Sequence, residues 1–182
     1  MSDTIELPQG LADYLHASQI ALAVSTIEGD APLVLVNDAF CRLTGYAPDE
    51  VLGHNCRFLQ GADTDDESRQ ALHDFVAGDG EDTGRFPILN YTKDGESFHN
   101  YVFMTRLRDG DGSVRFILAS QFDMTTAVQR SGIEGNDRQL RRTLTDVEQI
   151  GREFGLAMFG SAQMISDSVA TMARLKLNTD RA

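Results

Sequence analysis

Gly53-His54-Asn55-Cys56-Arg57-Phe58-Leu59-Gln60-Gly61 is the stretch that decides how this 182-residue chain is read. It sets one cysteine between an amide and a guanidinium, shortly after a glycine suited to a tight turn. The planar fork of Arg57 matches phosphate oxygens two at a time. Asn55 and Gln60 bring both donors and acceptors, and Cys56 is the only thiol of the nine. A thiol beside an anion clamp and two amides points to a phosphorylated cofactor held within reach of sulfur. The competing interpretation is a surface turn with an incidental buried cysteine, because free Cys is usually inert packing. The nonapeptide alone does not separate the two.

Outward from this stretch, turn and cap signals divide the chain. Pro8 fits the first turn of a short helix reaching about His16, with Leu11 and Leu15 on one face. Residues 20–25 and 33–36 read as strands around a Glu28-Gly29-Asp30 turn. Asn37 or Asp38 is placed to cap a helix through Phe40, Leu43 and Thr44, which Gly45 stops. Pro48-Asp49-Glu50 opens a single helical turn ended by Gly53. Downstream, residues 65–77 carry Ala71, Leu72, Phe75 and Val76 at helical spacing, with acidic residues in the first turn where the helix dipole favours them. Strands over 85–91, 97–107 and 114–122 follow, joined by Lys93-Asp94-Gly95 and Asp109-Gly110-Asp111-Gly112. The expected fold class is α+β, with a five-stranded antiparallel sheet and short helices inserted after its second strand.

Period-2 alternation then sorts the last three strands. Phe86, Ile88 and Asn90 share a face, as do Asn100, Val102 and Met104, and Ile117, Ala119 and Gln121. Each strand thus presents apolar side chains and one carboxamide to the same side. Burying three amides without partners costs about 1–3 kcal/mol each. Either these faces are partly solvated, or a flat, heteroatom-rich ligand satisfies them. A flavin ring fits the second case, with its polar pyrimidine edge and apolar dimethylbenzene end.

Asn37-Asp38-Ala39-Phe40, Leu43-Thr44-Gly45-Tyr46, the nonapeptide, Asn90-Tyr91-Thr92-Lys93-Asp94-Gly95 and the Gln121 strand occur in this order. Over residues 20–125 the chain resembles a LOV (light-oxygen-voltage) domain of the PAS superfamily. Without a recognisable fused effector, it is similar to the bacterial short LOV photoreceptors. The resemblance implies noncovalently bound FMN, with riboflavin or FAD as alternatives. It further implies that blue light drives a reversible bond between Cys56 and flavin C4a. Asn55, Leu59 and Gln60 then correspond to flavin and ribityl contacts, Arg57 to a phosphate contact, and Asn90 and Asn100 to partners of the pyrimidine edge. Val102, Met104 and Ile117 fall on the same face of the pocket. Gln121 corresponds to the glutamine that senses N5, since a carboxamide has both a donor and an acceptor end. One position departs from the pattern, with His73 standing where many LOV domains carry a second phosphate-binding arginine. Arg69, four residues earlier, is the alternative contact, or else part of a solvated face.

Composition limits the partners. A net charge of −12 weighs against nucleic acid and against anionic membrane surfaces. No apolar run is long enough to span a bilayer, and Cys41 and Cys56 match neither a metal-ligand spacing nor a disulfide scaffold. A cytosolic protein with reduced thiols is the simplest expectation. Residues 1–19 read as an N-terminal helical cap and 126–182 as a C-terminal extension of two helices. The first helix covers 137–159. A break at Gly160-Ser161 separates it from a second helix with Ile165, Val169, Met172 and Leu175 along it. These helices either fold onto the sheet's outer face or pair with a second copy, and a light-modulated homodimer with an unidentified signalling partner is favoured. The rival functions are a flavin-dependent redox enzyme using Cys56 covalently and a DNA-binding helix-turn-helix over 137–177.

Overall fold

Five runs of β-branched and aromatic residues form one antiparallel sheet in the order β2-β1-β5-β4-β3 in the computed structural model, which describes residues 7–130 and 157–179. The strands are β1 (Ala21–Thr26), β2 (Leu33–Val36), β3 (Thr83–Tyr91), β4 (Ser97–Arg108) and β5 (Val114–Asp123). The chain is α+β, as its sequence indicates. The last three strands extend one or two residues past their expected bounds, because the partner strand keeps offering ladder bonds, as in the Thr83–Thr105 pair.

The helices follow their caps. α1 (Gln9–Ala17) begins after Pro8, whose carbonyl accepts from Leu11 and Ala12, so proline lies just outside the first turn. α2 (Asp38–Thr44) is capped by Asn37, and α3 (Pro48–Val51) is a single turn. α4 (Asp66–Ala77) is capped by Asp65, whose carboxylate accepts from Ser68 N at 2.9 Å. α5 (Thr125–Arg130) follows β5 directly, and α6 (Ala157–Thr179) is the last described element.

Asn37 does more than cap. Its Oδ1 accepts from Phe40 N and Leu22 N, both at 3.0 Å, and its Nδ2 donates to the carbonyls of Leu15, Ser18 and Ile20. One buried side chain thus ties the end of α1, the start of β1 and the start of α2 together.

The two sheet faces have different cores. On the outer face, Leu22, Val24, Leu107, Phe116 and Leu118 pack against Leu11 and Leu15 of α1 and Val169, Ala173 and Leu177 of α6. On the inner face, Ala21, Ala23 and Val36 meet Phe40, Val51 and Leu59, while Ile88, Val102, Met104 and Ile117 lie under Leu72, Phe75 and Val76 of α4. Each fully buried Leu or Phe contributes about 1.5–3 kcal/mol.

α6 corrects two expectations. Its backbone runs unbroken through Gly160-Ser161. A glycine costs a helix interior about 1 kcal/mol, a weak preference that context overrides. Its buried side is Ser166, Val169, Ala170, Ala173 and Leu177, so of the expected stripe Val169 is buried while Ile165, Met172 and Leu175 are exposed. Small residues let the helix approach the sheet closely, which leaves the larger side chains outside. The fold-back option is therefore the one seen for α6. The preceding helix expected over 137–159 lies, up to residue 156, outside the described residues, as does most of the N-terminal half of the helix-turn-helix.

Candidate functional site

The nonapeptide is positioned by β2. Gly53 N donates to Leu33 O and Leu33 N to His54 O, both at 2.9 Å, so the segment runs beside the start of that strand. Gly53 has φ +81°, a conformation that favours glycine. Cys56–Leu59 then forms a 3-10 turn capped by Asn55, whose Oδ1 accepts from Arg57 N at 3.0 Å. At the far end, a Cβ on Gly61 would come within 2.3 Å of the Tyr91 ring, so glycine lets the chain pass there. Thr64 fixes the exit by donating to Leu89 O at 2.6 Å and accepting from Gly61 N at 3.0 Å.

Between this segment, α4 and the inner sheet face lies a cavity of about 530 Å³, within the range of small-molecule sites. It brings together Asn55, Cys56, Arg57, Leu59, Gln60, Arg69, His73, Asn90, Asn100, Val102, Met104 and Gln121. Among the sequence-derived residues, Ile117 differs. It is buried in the apolar cluster with Ile88, Val102 and Met104 and does not reach the lining. Its β1 neighbour in the ladder is Ser25, beyond the Ala21–Gln121 and Ala23–Ala119 pairs that lead towards the cavity.

At the sheet wall the three carboxamides form a hub. Asn100 Nδ2 donates to Asn90 Oδ1 and to Gln121 Oε1, each at 2.9 Å. Asn100 Oδ1 is buried with no hydrogen-bond partner among the described residues. Leaving such an acceptor unpaired costs about 1–3 kcal/mol, so the hub suits a flat ligand that offers a donor at its edge. Leu59, Leu72, Val76, Ile88, Val102, Met104 and Ala119 supply apolar walls for the rest of such a ring.

The mouth is charged. Arg57 Nη2 pairs with the Asp30 carboxylate, and Asn55 Nδ2 donates to Asp30 O at 2.6 Å. Arg69 is half-buried, its Nε donating to Thr64 O at 3.1 Å and its terminal nitrogens to Gly61 O and Gln60 Oε1. His73 is exposed on the same rim. Sequence reasoning missed the contribution of Ile27, Gly29, Asp30 and Ala31 to the rim. The Glu28-Gly29-Asp30 turn was legible, but its place beside the nonapeptide depends on the long-range pairing of Leu33.

α4 is held over the cavity by Arg106, which is buried under the ring of Phe75 at 4.4 Å. Its guanidinium donates to Phe75 O at 2.5 Å and to Glu81 O at 3.1 Å. A cation at the C-terminal end of α4 complements the helix dipole.

Burial pushes the Cys56 thiol up to about 12, so sulfur keeps its proton throughout the neutral range. Thiolate is the reactive form towards alkylating agents. At pH 9, Cys56 in ligand-free protein is therefore expected to react with iodoacetamide roughly several hundredfold more slowly than a free thiol. Mass spectrometry of quenched time points measures this, and alkylation at the free-thiol rate contradicts it. Cys41 is absent from the cavity lining and packs beside Ala39, Phe40 and Val51. Among the described residues, no group of His, Cys, Asp and Glu is placed to hold a metal ion, and no helix is long and apolar enough to cross a membrane.

Comparison with known proteins follows the same outline. A family model described as PAS domain matches residues 21–126. A blue-light-activated histidine kinase of Erythrobacter litoralis is 42% identical over 112 residues, which are 61% of this chain and 31% of that protein. The chain thus spans about a third of the length of that curated relative. Among solved structures, the LOV domain of a blue-light activated histidine kinase from Erythrobacter litoralis is 37% identical. That match covers 58% of this chain and 96% of that one, with a TM-score of 0.55. An RNA-binding light-oxygen-voltage receptor is 36% identical over 80% of this chain and 39% of its own, with a TM-score of 0.60. The chain belongs to the PAS domain family and, within it, to the light-oxygen-voltage group.

Proposed function

We propose that this chain is a blue-light photoreceptor whose cavity holds a flavin, FMN by preference. The observation that carries the reading is one cavity combining a lone protonated thiol, Cys56, with the Asn90–Asn100–Gln121 amide hub. The unpaired Asn100 Oδ1 supports a ligand edge with a donor, as a flavin's pyrimidine ring has. When bound, a flavin supplies absorption of blue light and a ring carbon to which a thiol adds reversibly. With a flavin in place, Cys56 would be the thiol that adds, its Sγ holding its proton until then. Asn90 and Asn100 orient the ring, and the apolar walls exclude water. Gln121, whose amide carries both a donor and an acceptor end, could meet either protonation state of such a ring by reversing which end faces the cavity. β5 carries that change towards α5, which follows it directly.

The test is an absorption spectrum of the purified full chain before and after blue light. Loss of the flavin's blue band with recovery in the dark is expected. A stable spectrum, or steady oxidation of a reductant in darkness, would favour a flavin-dependent redox enzyme instead. The deep lining is amides and aliphatics, which offers such an enzyme no acid or base near the ring.

A light-modulated homodimer is the output we favour. α6 buries one face on its own sheet, yet Met164, Ile165, Met172 and Leu175 of the opposite side are exposed, at 72%, 38%, 40% and 57%. A second copy laid along this stripe would cover them. Met172→Glu with Ile165→Glu is expected to convert a dimer to a monomer by size-exclusion with light scattering, leaving the spectrum unchanged. A wild-type chain that elutes as a monomer in darkness and in light sinks this output. The RNA-binding relative brings nucleic acid into view, but the charge of −12 weighs against it here.

A further inference from the structure

Cationic side chains at the cavity mouth already have acceptors of their own. Arg57 pairs with the Asp30 carboxylate. Arg69 spends its guanidinium on the carbonyls of Thr64 and Gly61 and on Gln60. Asp66, which also lines the cavity, sits 3.9 Å from Arg69 Nε. An incoming phosphate therefore meets carboxylates as well as cations.

Of these, Asp30 is the one set in place by the fold. Its carbonyl accepts from Asn55 Nδ2 at 2.6 Å, which ties the β1–β2 turn to the cap of the Cys56 turn. Ala31 follows with φ +49°, and its N–H donates to Glu28 O at 3.0 Å. A non-glycine residue is rarely held in that conformation. Two residues on, Leu33 is paired at both its N–H and its carbonyl with the start of the nonapeptide. Backbone bonds on both sides thus deliver the Asp30 carboxylate to Arg57.

We propose that Asp30 is a specificity-determining residue, a carboxylate latch on Arg57 that weakens the cavity's preference for a phosphate-bearing flavin over the unphosphorylated one. The proposal rests on the flavin reading above. A phosphate must share Arg57 with Asp30 or displace it, and it also meets the negative charge of Asp30. Riboflavin, which has no phosphate, meets neither cost. Arg57 and Asp30 are both more than half exposed, so the latch is a weak one that a phosphate can open. Its effect is a few-fold change in preference.

Flavin-free full-length protein titrated with riboflavin and with FMN, read by quenching of flavin fluorescence, tests this. Asp30→Asn keeps the backbone carbonyl that Asn55 uses and removes only the charge. It is expected to tighten FMN binding about three- to tenfold while leaving riboflavin unchanged. Raising the salt concentration should shrink the gain, since exposed charges are screened. In an Arg57→Gln background the same change should yield a smaller gain, because the latch has nothing to hold. The unchanged riboflavin affinity doubles as the control for folding. Equal shifts for both flavins, or none for either, overturn the Asp30 proposal alone. Wild-type protein that binds neither flavin overturns the flavin reading and this proposal together.

Discussion

Cys56→Ala is expected to leave flavin binding intact and to abolish the reversible loss of blue absorption. The expected reduction is at least a hundredfold in bleached fraction under equal illumination. The reasoning starts from the lining. Cys56 is the only thiol facing the cavity, and Cys41 is packed in the apolar cluster around Phe40. No second thiol stands ready to substitute. Alanine is smaller than cysteine and apolar, so it fits the same place in the 3-10 turn without disturbing the cap, whose bond runs from Arg57 N to Asn55 Oδ1. The hub of Asn90, Asn100 and Gln121 lies on the sheet and is untouched. Absorption spectra recorded during and after a blue-light pulse, with binding measured separately, check the result. If the variant still bleaches and recovers like the wild type, Cys56 is not the reacting group. If it no longer binds flavin, the thiol's role is structural.

Asn37→Ala is expected to destabilise the protein by roughly 4 kcal/mol, although Asn37 lies outside the cavity lining. Its side chain is 1% exposed and makes five hydrogen bonds, two as acceptor and three as donor. Truncation takes a partner from the Leu22 and Phe40 N–H groups and from the carbonyls of Ser18 and Ile20, while Leu15 O keeps the Ser18 N–H. Each orphaned buried group costs about 1–3 kcal/mol, and water entering the gap recovers part of that. A loss of this size consumes a large share of the usual 5–15 kcal/mol of a folded domain. Thermal unfolding followed by circular dichroism should show a midpoint about 10 °C lower. A fall of only one or two degrees contradicts the view of Asn37 as the joint between α1, β1 and α2.

Local chemistry explains which parts were legible in advance. Asn37 as a cap, Gly45 as a stop and the period-2 faces of β3, β4 and β5 are determined within a few residues, and the structure places them accordingly. Cys56, Arg57, Gln60, Asn90, Asn100 and Gln121 were readable as residue types at fixed spacing, and they meet around one cavity. What escaped depends on distant partners. Asn37 reaches back 22 residues to Leu15, and nothing local to either marks the other. Asp30 is at the mouth only because Leu33 pairs with Gly53 and His54. In α6, apolar residues occur on both sides, so periodicity could not choose the buried one. The sheet chose Ala170 and Ala173 because they let the helix come close.

The alternation along β5 has one more consequence. Ser120 and Leu118 turn towards α1 and α6, while Gln121 and Ala119 turn towards the cavity. Two separate tasks, lining the cavity and docking the helices, are thus interleaved in a single strand. A lone insertion or deletion within it would exchange them at every following position, placing leucine against the cavity and glutamine against the helices. Within the strand, a change that alters the cavity wall without altering helix docking must be a substitution.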